Sequence, residues 1–234
     1  MKLVALDLDG TLTQHRSKLE AETQMILNEL LKTHKLLMVC AGGCQRVFSQ
    51  MEEFPVDIIG FYGMESSVIE NKKLRIIDRI KTVNDKAQIV RKVEQLRDEL
   101  DFVDYFGESV EFHDSGIITF PLIGTTAPLN KKLEFDPKRL IRRKCYGRVC
   151  EVFNEYNVFV GGSSSFDIAP KPYRKLYALE QYLNKLNIRK SEVIYFGDDY
   201  GLGGNDSDIY NSDIRFVTID DYRDFPRIAK DVLL

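Results

Sequence analysis

Apolar residues in this chain come mostly in short unbroken runs rather than in alternation with polar ones. Val4-Ala5-Leu6, Leu36-Leu37-Met38-Val39-Cys40-Ala41, Val56 to Phe61 with Asp57 inside it, and Val193-Ile194-Tyr195-Phe196 are the clearest. Runs of this kind suit strands covered on both faces, as in a parallel sheet flanked by helices. Between the first two, Leu19 to Thr33 carries apolar residues at 26, 27, 30 and 31, one face of a helix. Gln45 to Met51 predicts a shorter helix, and Ser67 to Ile77 a hairpin after the third strand. Strand, helix, strand, helix, strand is the signature of a parallel sheet.

The pattern changes near Thr82. Asn84 or Asp85 is placed to cap a helix reaching about Asp101, with apolar positions at 89, 93, 96 and 100. Val110 to Leu122 reads as strand, turn, strand. Asp136-Pro137 puts a cap and a first-turn proline at the head of a helix running to about Tyr156. Residues 157–160 and 165–168 are two more strands around Gly161-Gly162. The parallel pattern then resumes, with a helix over Tyr173–Leu186 and strands at 192–196 and 214–219. The expected organisation is an α/β core built from residues 1–81 and 169–234, interrupted by an α+β cap over 82–168.

Composition narrows the functional classes. With 234 residues and 44% hydrophobic content, the chain can build one large or two modest cores. A net charge of -3 argues against nucleic acid or a membrane surface as partner. No apolar stretch approaches the roughly 20 residues that span a bilayer. The opening Met1-Lys2-Leu3-Val4-Ala5-Leu6 is cut short by Asp7 and Asp9, without a small-residue cleavage site, so no signal peptide is expected and the expected compartment is the cytoplasm. The cysteines at 40, 44, 145 and 150 lack C-x-x-C spacing and histidine neighbours, which predicts buried free thiols.

The chemistry concentrates where strands end. In Val4-Ala5-Leu6-Asp7-Leu8-Asp9-Gly10-Thr11-Leu12-Thr13, Asp7 and Asp9 share one face at the end of a strand, and Gly10 lets the chain turn. A polar strand end capping a turn would give the same pattern. A second acidic strand end, Gly197-Asp198-Asp199, would lie beside the first if both strands belong to one parallel sheet. Converging carboxylates call for a hard divalent cation, and oxygen ligands of this kind select Mg²⁺. Lys175, heading the helix after Ile168-Ala169-Pro170, adds a fixed positive charge to the same rim. Carboxylate, Mg²⁺ and ammonium together describe a phosphoryl-transfer site. The three histidines are given no catalytic role, and Arg142-Arg143-Lys144 reads as a solvated helix face.

These residues resemble the motifs of the haloacid dehalogenase superfamily of phosphatases and phosphomutases, with its Rossmann-like core and inserted C2-type cap. The resemblance implies that Asp7 attacks phosphorus to form an aspartyl phosphate, and that Asp9 donates a proton to the leaving oxygen and later activates water. It makes Asp7, Asp198 and the main-chain carbonyl of Asp9 ligands of Mg²⁺, gives Lys175 the third motif, and puts Asn205-Asp206 at the close of the fourth, with Asp199, Asn205 and Asp206 in supporting positions. Phe196-Gly197-Asp198 followed by Gly203-Gly204-Asn205-Asp206, and Gly161-Gly162 followed by Ser165-Phe166-Asp167, are similar to one branch, the eukaryotic-type phosphomannomutases. That branch implies substrate contacts from Arg16, Ser165 and Asp167, and a homodimer formed through the caps.

The departures from the branch bear on function. Its cap hairpin carries two arginines, with a third seven residues later, that grip the distal phosphate of a hexose phosphate. The matching positions here are His113, Thr125 and Lys132. Lysine is a point charge without arginine's bidentate fork, so a weaker or different grip is expected from Lys132. The second motif offers Gly42, Gly43 and Cys44 in place of a hydroxyl, which leaves phosphate binding there to backbone N–H groups. The expected function is a Mg²⁺-dependent phosphatase acting on a small phosphorylated metabolite, a sugar phosphate first among them. The alternative is a hexose phosphomutase, and a non-catalytic phosphosugar-binding regulator ranks third because nucleophile and metal residues are all present.

Overall fold

The computed structural model describes residues 3–234; Met1 and Lys2, which open both the segment weighed as a signal peptide and the first core segment, lie outside the described residues. The chain divides into two compact units. The first comprises residues up to Ile80, Arg174–Gly201 and Asp206–Leu234; the second comprises Lys81–Tyr173 and Leu202–Asn205.

The first unit is organised on a seven-stranded sheet. Its strands are β1 (Leu3–Leu6), β2 (Lys35–Val39), β3 (Asp57–Gly60), β4 (Glu65–Glu70), β5 (Lys73–Arg79), β10 (Val193–Gly197) and β11 (Arg215–Thr218), in the order β11-β10-β1-β2-β3-β4-β5. The strands from β11 to β3 run parallel, and the β4–β5 hairpin extends the sheet antiparallel. Both faces are covered, which is why the apolar runs do not alternate. Val4, Leu6, Met38, Ile58 and Phe196 pack on one side with α1 (Ala21–Leu30), α2 (Cys44–Gln50) and α8 (Phe225–Leu233). Leu3, Ala5, Leu37, Val39 and Tyr195 pack on the other with α6 (Lys175–Leu186) and α7 (Ser207–Tyr210). Helices α7 and α8 go beyond the elements predicted from the sequence.

The second unit has its own core. Strands β6 (Glu111–Phe112), β7 (Ile118–Pro121), β8 (Tyr156–Gly161) and β9 (Ser165–Pro170) form an antiparallel sheet in the order β6-β7-β9-β8. Ile118, Phe120, Val158, Val160, Phe166 and Ile168 bury one face of it with Ile89, Val93 and Leu96 of α3 (Lys86–Leu100) and Val149 of α5 (Leu140–Val152). Asp85 caps α3 by accepting from the Gln88 N–H. The hairpin runs on to Pro170, and the unit to Tyr173, past the expected limit at residue 168.

Two sequence expectations are corrected here. The helix read from Asp136-Pro137 to Tyr156 starts instead at Leu140, after Arg139 in the left-handed conformation at φ 57°, and a separate helix, α4 (Leu129–Phe135), precedes it. Asp136 still serves the helix start from a distance, its carboxylate accepting from the N–H groups of Ile141 and Arg142. Arg142 is also no solvated charge. It is buried, donates Nε to the Asp136 carboxylate at 3.0 Å, and donates Nη1 to the carbonyls of Gly161 and Gly162. Of the four free cysteines, Cys40 and Cys44 are buried while Cys145 and Cys150 are only partly so. No helix among the described residues is long and apolar enough to cross a membrane.

Candidate active site

The ends of β1 and β10 build the centre of the site in the first unit. The Asp7 N–H donates to the Phe196 carbonyl at 3.0 Å, so strand pairing continues one residue past β1 and fixes the Asp7 backbone. Alternation along the strand puts Asp7 on the same face as Leu3 and Ala5, the face that α6 covers. Lys175, the first residue of α6, is fully buried there, with Nζ 2.7 Å from Asp7 Oδ1 and 2.8 Å from Asp206 Oδ1. Asp206 is held in turn: the Tyr195 hydroxyl donates to its Oδ1 at 2.6 Å, and the Asp199 N–H to its Oδ2 at 3.1 Å. The Asp206 N–H returns a bond to the Asp199 carbonyl, closing the loop after β10. Gly10, at φ +100°, lies so near Asp198 that a Cβ there would come within 2.5 Å of its carboxylate. Thr11 Oγ1 donates to Asp198 Oδ1 at 3.2 Å.

Asp7, Asp198 and Asp206 each offer a carboxylate oxygen to one cluster, with the three oxygens within 4.8 Å of one another. Asp206 offers an oxygen to this cluster while its carboxylate accepts from Lys175, Tyr195 and the Asp199 N–H, and Asp199 is buried and supports the loop through its backbone. Three carboxylates gathered this closely repel one another, and Lys175 offsets part of that charge at Asp7 and Asp206. Burial raises the Asp7 carboxyl well above the usual range, and the charges of Asp206 and Asp198 push the same way against the opposing pull of Lys175. Burial alone would lower the Lys175 ammonium, but the Asp206 and Asp7 carboxylates more than offset it and hold its pKa up. A site that would take up a proton to relieve its charge fits a hard divalent cation, and all-oxygen donors suit Mg²⁺.

The Asp9 carboxylate is turned elsewhere. It accepts from the Arg16 N–H at 2.7 Å, from Arg46 Nη1 at 3.0 Å and from Gln50 Nε2 at 2.7 Å, with His15 Nδ1 3.9 Å away. Burial would raise its pKa, but the Arg46 charge, with His15, Gln50 and the Arg16 N–H behind it, brings Asp9 below the ordinary value. Arg46 and Gln50, on α2, escaped the sequence reading because they look like ordinary polar positions on a short helix. Only their spacing of four, which stacks them on one helix face, hinted at the pair. Arg16 meets Asp9 through its backbone, at φ 57°, while the residue is exposed.

Gly42 and Gly43 connect β2 to α2, and a Cβ on Gly42 would fall 2.0 Å from Arg46 Nη2. The Cys44 N–H, expected to face phosphate, is already bonded to Glu65 Oε1 at 2.8 Å, and Glu65 also accepts from Arg79. That corner therefore has one backbone donor fewer than the sequence suggested.

The remaining candidates belong to the second unit. His113 Nε2 and Thr119 Oγ1 are 2.9 Å apart, and Thr119 donates on to Asp167 Oδ1 at 3.3 Å, a polar chain across β7 and β9. Ser165 donates to the Gly161 carbonyl at 3.2 Å. Lys132 Nζ donates to the Thr125 carbonyl at 2.8 Å. Asn205 keeps a buried side-chain oxygen without a hydrogen-bond partner.

Comparisons with known proteins show the family to which the chain belongs. The sequence model of the family described as eukaryotic phosphomannomutase matches residues 44–233. A phosphomannomutase of Arabidopsis thaliana is 27% identical over 220 residues, covering 90% of this chain and 87% of its own, and one of Glycine max is 28% identical over 227 residues, with 90% and 87% covered. Among solved structures, a haloacid dehalogenase-like hydrolase from B. subtilis aligns over all of both chains with a TM-score of 0.65 at 16% identity, a likeness of fold. Motifs, parallel core, inserted unit and matches agree: the chain belongs to the eukaryotic phosphomannomutase family, a branch of the haloacid dehalogenase superfamily.

Proposed function

We propose that this protein is a Mg²⁺-dependent phosphatase acting on a small phosphorylated metabolite, a sugar phosphate first among the candidates, through an aspartyl phosphate on Asp7. The observation that carries this reading is in the second unit. Where the mutase branch has three arginines for a distal phosphate, this chain has His113, Thr125 and Lys132, and one of the three donors of the Lys132 ammonium goes to the carbonyl of Thr125. A mutase must hold a bisphosphate and rebind it turned around. Without a guanidinium fork at those positions, water becomes the favoured acceptor.

In the first step an Asp7 carboxylate oxygen attacks phosphorus and the P–O bond to the leaving group breaks; Asp9, whose pKa is held low in the substrate-free protein, takes up a proton as substrate binds and passes it to the departing oxygen. In the second, Asp9 takes a proton from water, which attacks phosphorus and frees Asp7 and inorganic phosphate. Lys175 holds the Asp7 carboxylate in place and offsets charge on the transferring group. Asp7, Asp198 and Asp206 supply carboxylates for Mg²⁺, which when bound polarises the phosphoryl oxygens. Ser165 and Asp167 offer polar partners for substrate hydroxyls.

The alternative, a hexose phosphomutase of the phosphomannomutase type, draws its support from relatives carrying that name over about nine-tenths of the chain. A panel of phosphate esters assayed for released phosphate, with Mg²⁺ and then with EDTA, tests the proposal. Release that stops on chelation and returns with Mg²⁺ supports it. Absence of release from every ester in the panel, with Mg²⁺ present, refutes it.

A further inference from the structure

We propose that Arg142 is a positioning residue for substrate binding: buried in the second unit, it fixes the Gly161 carbonyl, and through that carbonyl the hydroxyl of Ser165 and the seat of the Asp167 carboxylate. The inference rests on the reading of Ser165 and Asp167 as substrate contacts.

The sheet brings these groups together. Val158, Val160, Phe166 and Ile168 face the core with α3 and α5, so alternation along β8 and β9 puts residues 161, 165 and 167 on the opposite face, with Gly161 paired to Ser165. Gly161 is the point they share. Its carbonyl accepts from the Ser165 hydroxyl at 3.2 Å and from Arg142 Nη1 at 2.7 Å. A Cβ on Gly161 would come within 2.5 Å of the Asp167 carboxylate, so that carboxylate rests over a position glycine keeps clear. Thr119 donates to the same carboxylate from the neighbouring strand at 3.3 Å. Because the Ser165 proton is committed to Gly161, its oxygen is presented as an acceptor, as is the carboxylate two residues on. Two acceptors side by side suit the hydroxyls of a sugar or polyol rather than an anion.

Arg142 holds that arrangement from behind. Its side chain is 1% exposed and that of Asp136 3%. Nε donates to Asp136 Oδ2 at 3.0 Å and Nη2 to the Asp136 main-chain carbonyl at 3.1 Å, while the Asp136 carboxylate is tied to the N–H groups of Ile141 and Arg142 at the head of α5. Nη1 is thereby aimed at the turn. It bridges the Gly161 carbonyl and that of Gly162, the latter at 2.9 Å, with Gly162 in the left-handed region at φ 50°. A buried ion pair is a poor source of stability, whereas a planar fork anchored on one side fixes whatever it bonds on the other. Ser165 and Asp167 are thus set in place before a ligand arrives, which lowers the ordering cost of binding.

The test is the rate at which the full chain, with Mg²⁺ and a trace of hexose 1,6-bisphosphate, consumes mannose 1-phosphate and, separately, glucose 1-phosphate, followed by ³¹P NMR for wild type, Arg142→Lys, Ser165→Ala and the double variant. Consumption counts whichever product forms, so the product reports on the phosphatase proposal and KM reports on Arg142. Lysine keeps a charge beside Asp136 but cannot span Asp136 and both carbonyls. Misplaced acceptors raise KM by roughly 5- to 50-fold in Arg142→Lys while kcat changes less than about threefold, whereas partial unfolding would lower kcat and leave KM alone. The double variant is no worse than the poorer single one, because both changes act on one hydrogen-bonded unit. Circular dichroism establishes that each variant is folded. If Arg142→Lys does not fold, Gly161→Ala takes its place, since its methyl meets the Asp167 carboxylate, and the same rise in KM is expected. A KM within about twofold of wild type in the folded variant overturns the proposal, as do single effects that multiply in the double variant. Wild type that consumes neither sugar phosphate overturns Ser165 and Asp167 as sugar contacts and Arg142 with them, while the phosphatase proposal is judged on the ester panel. Consumption that yields only the 6-phosphate, with KM raised in Arg142→Lys, refutes the phosphatase and supports the role of Arg142.

Discussion

Replacing Lys175 by methionine keeps the volume near the buried end of α6 and deletes the ammonium that Asp7 and Asp206 share. At an effective dielectric of about 20, contacts at 2.7 and 2.8 Å are each worth roughly 6 kcal/mol of attraction, and the cost of desolvating the ammonium cancels several kcal/mol of that. Removing one partner of a buried ion pair costs about 3–5 kcal/mol net, because the partners stay buried and uncompensated. Set against a total stability of about 5–15 kcal/mol, this lowers the unfolding midpoint by roughly 6–20 °C. The assay is unfolding followed by circular dichroism near neutral pH, in EDTA and in Mg²⁺. With the ammonium gone the carboxylate excess grows, so Mg²⁺ raises the midpoint of Lys175→Met by more than it raises that of wild type. Adding Asp206→Asn to Lys175→Met recovers part of the loss, as expected of coupled neighbours. A loss below about 0.5 kcal/mol in EDTA, the range of exposed substitutions, would refute the account of Lys175 as the buried counter-charge.

Asp7→Asn keeps the shape of the site and removes the nucleophile, so kcat should fall by roughly three orders of magnitude or more in a phosphate-release assay while the circular dichroism spectrum stays that of wild type. Because the Asp7 pKa is raised, the folded metal-free protein binds more protons than the unfolded chain between about pH 4 and the raised value, so its stability falls as pH climbs through that window. Asp9 acts in the opposite sense: its lowered pKa contributes stability above the ordinary carboxylate value, lost as pH falls through the folded one. A pH series of urea unfolding in EDTA reads both, and Asp7→Asn should flatten the first dependence. In the second unit, Arg142→Met strands the buried Asp136 carboxylate and the carbonyls of Gly161 and Gly162, at a cost of about 3–5 kcal/mol by urea unfolding, while Lys144→Met, on the exposed side of α5, stays within about 0.5 kcal/mol.

What could be read from the sequence is local and periodic. The doubly covered strands announced themselves as unbroken apolar runs, and the acidic pairs stood out because carboxylates rarely end such runs. That Asp7 and Asp198 meet followed from β1 and β10 being parallel neighbours, which the resumption of the pattern after residue 173 made legible. What stayed hidden depends on tertiary partners. Arg142 and Lys144 are two residues apart in a basic run, yet one is buried on Asp136 and the other exposed, because only the first points at the β8–β9 turn. Asp136-Pro137 carried the residue types of a helix start, but the helix waits until Leu140, and Asp136 reaches its N–H groups from outside. Arg46 and Gln50 gave no motif to notice; their meaning comes from Asp9, some forty residues away. Nothing in Gly-Gly-Asn-Asp says that Lys175 and Tyr195 converge on Asp206.

The branch to which the chain belongs and the chemistry proposed for it differ in the fate of one phosphoryl group. ³¹P NMR of mannose 1-phosphate and glucose 1-phosphate, incubated with the protein, Mg²⁺ and a trace of hexose 1,6-bisphosphate, follows both fates at once. Growth of the inorganic phosphate signal, without a 6-phosphate signal, is the result predicted from His113, Thr125 and a Lys132 bonded to a carbonyl. Growth of the hexose 6-phosphate signal with inorganic phosphate flat would contradict it, and would mean that this site holds a distal phosphate without the three arginines.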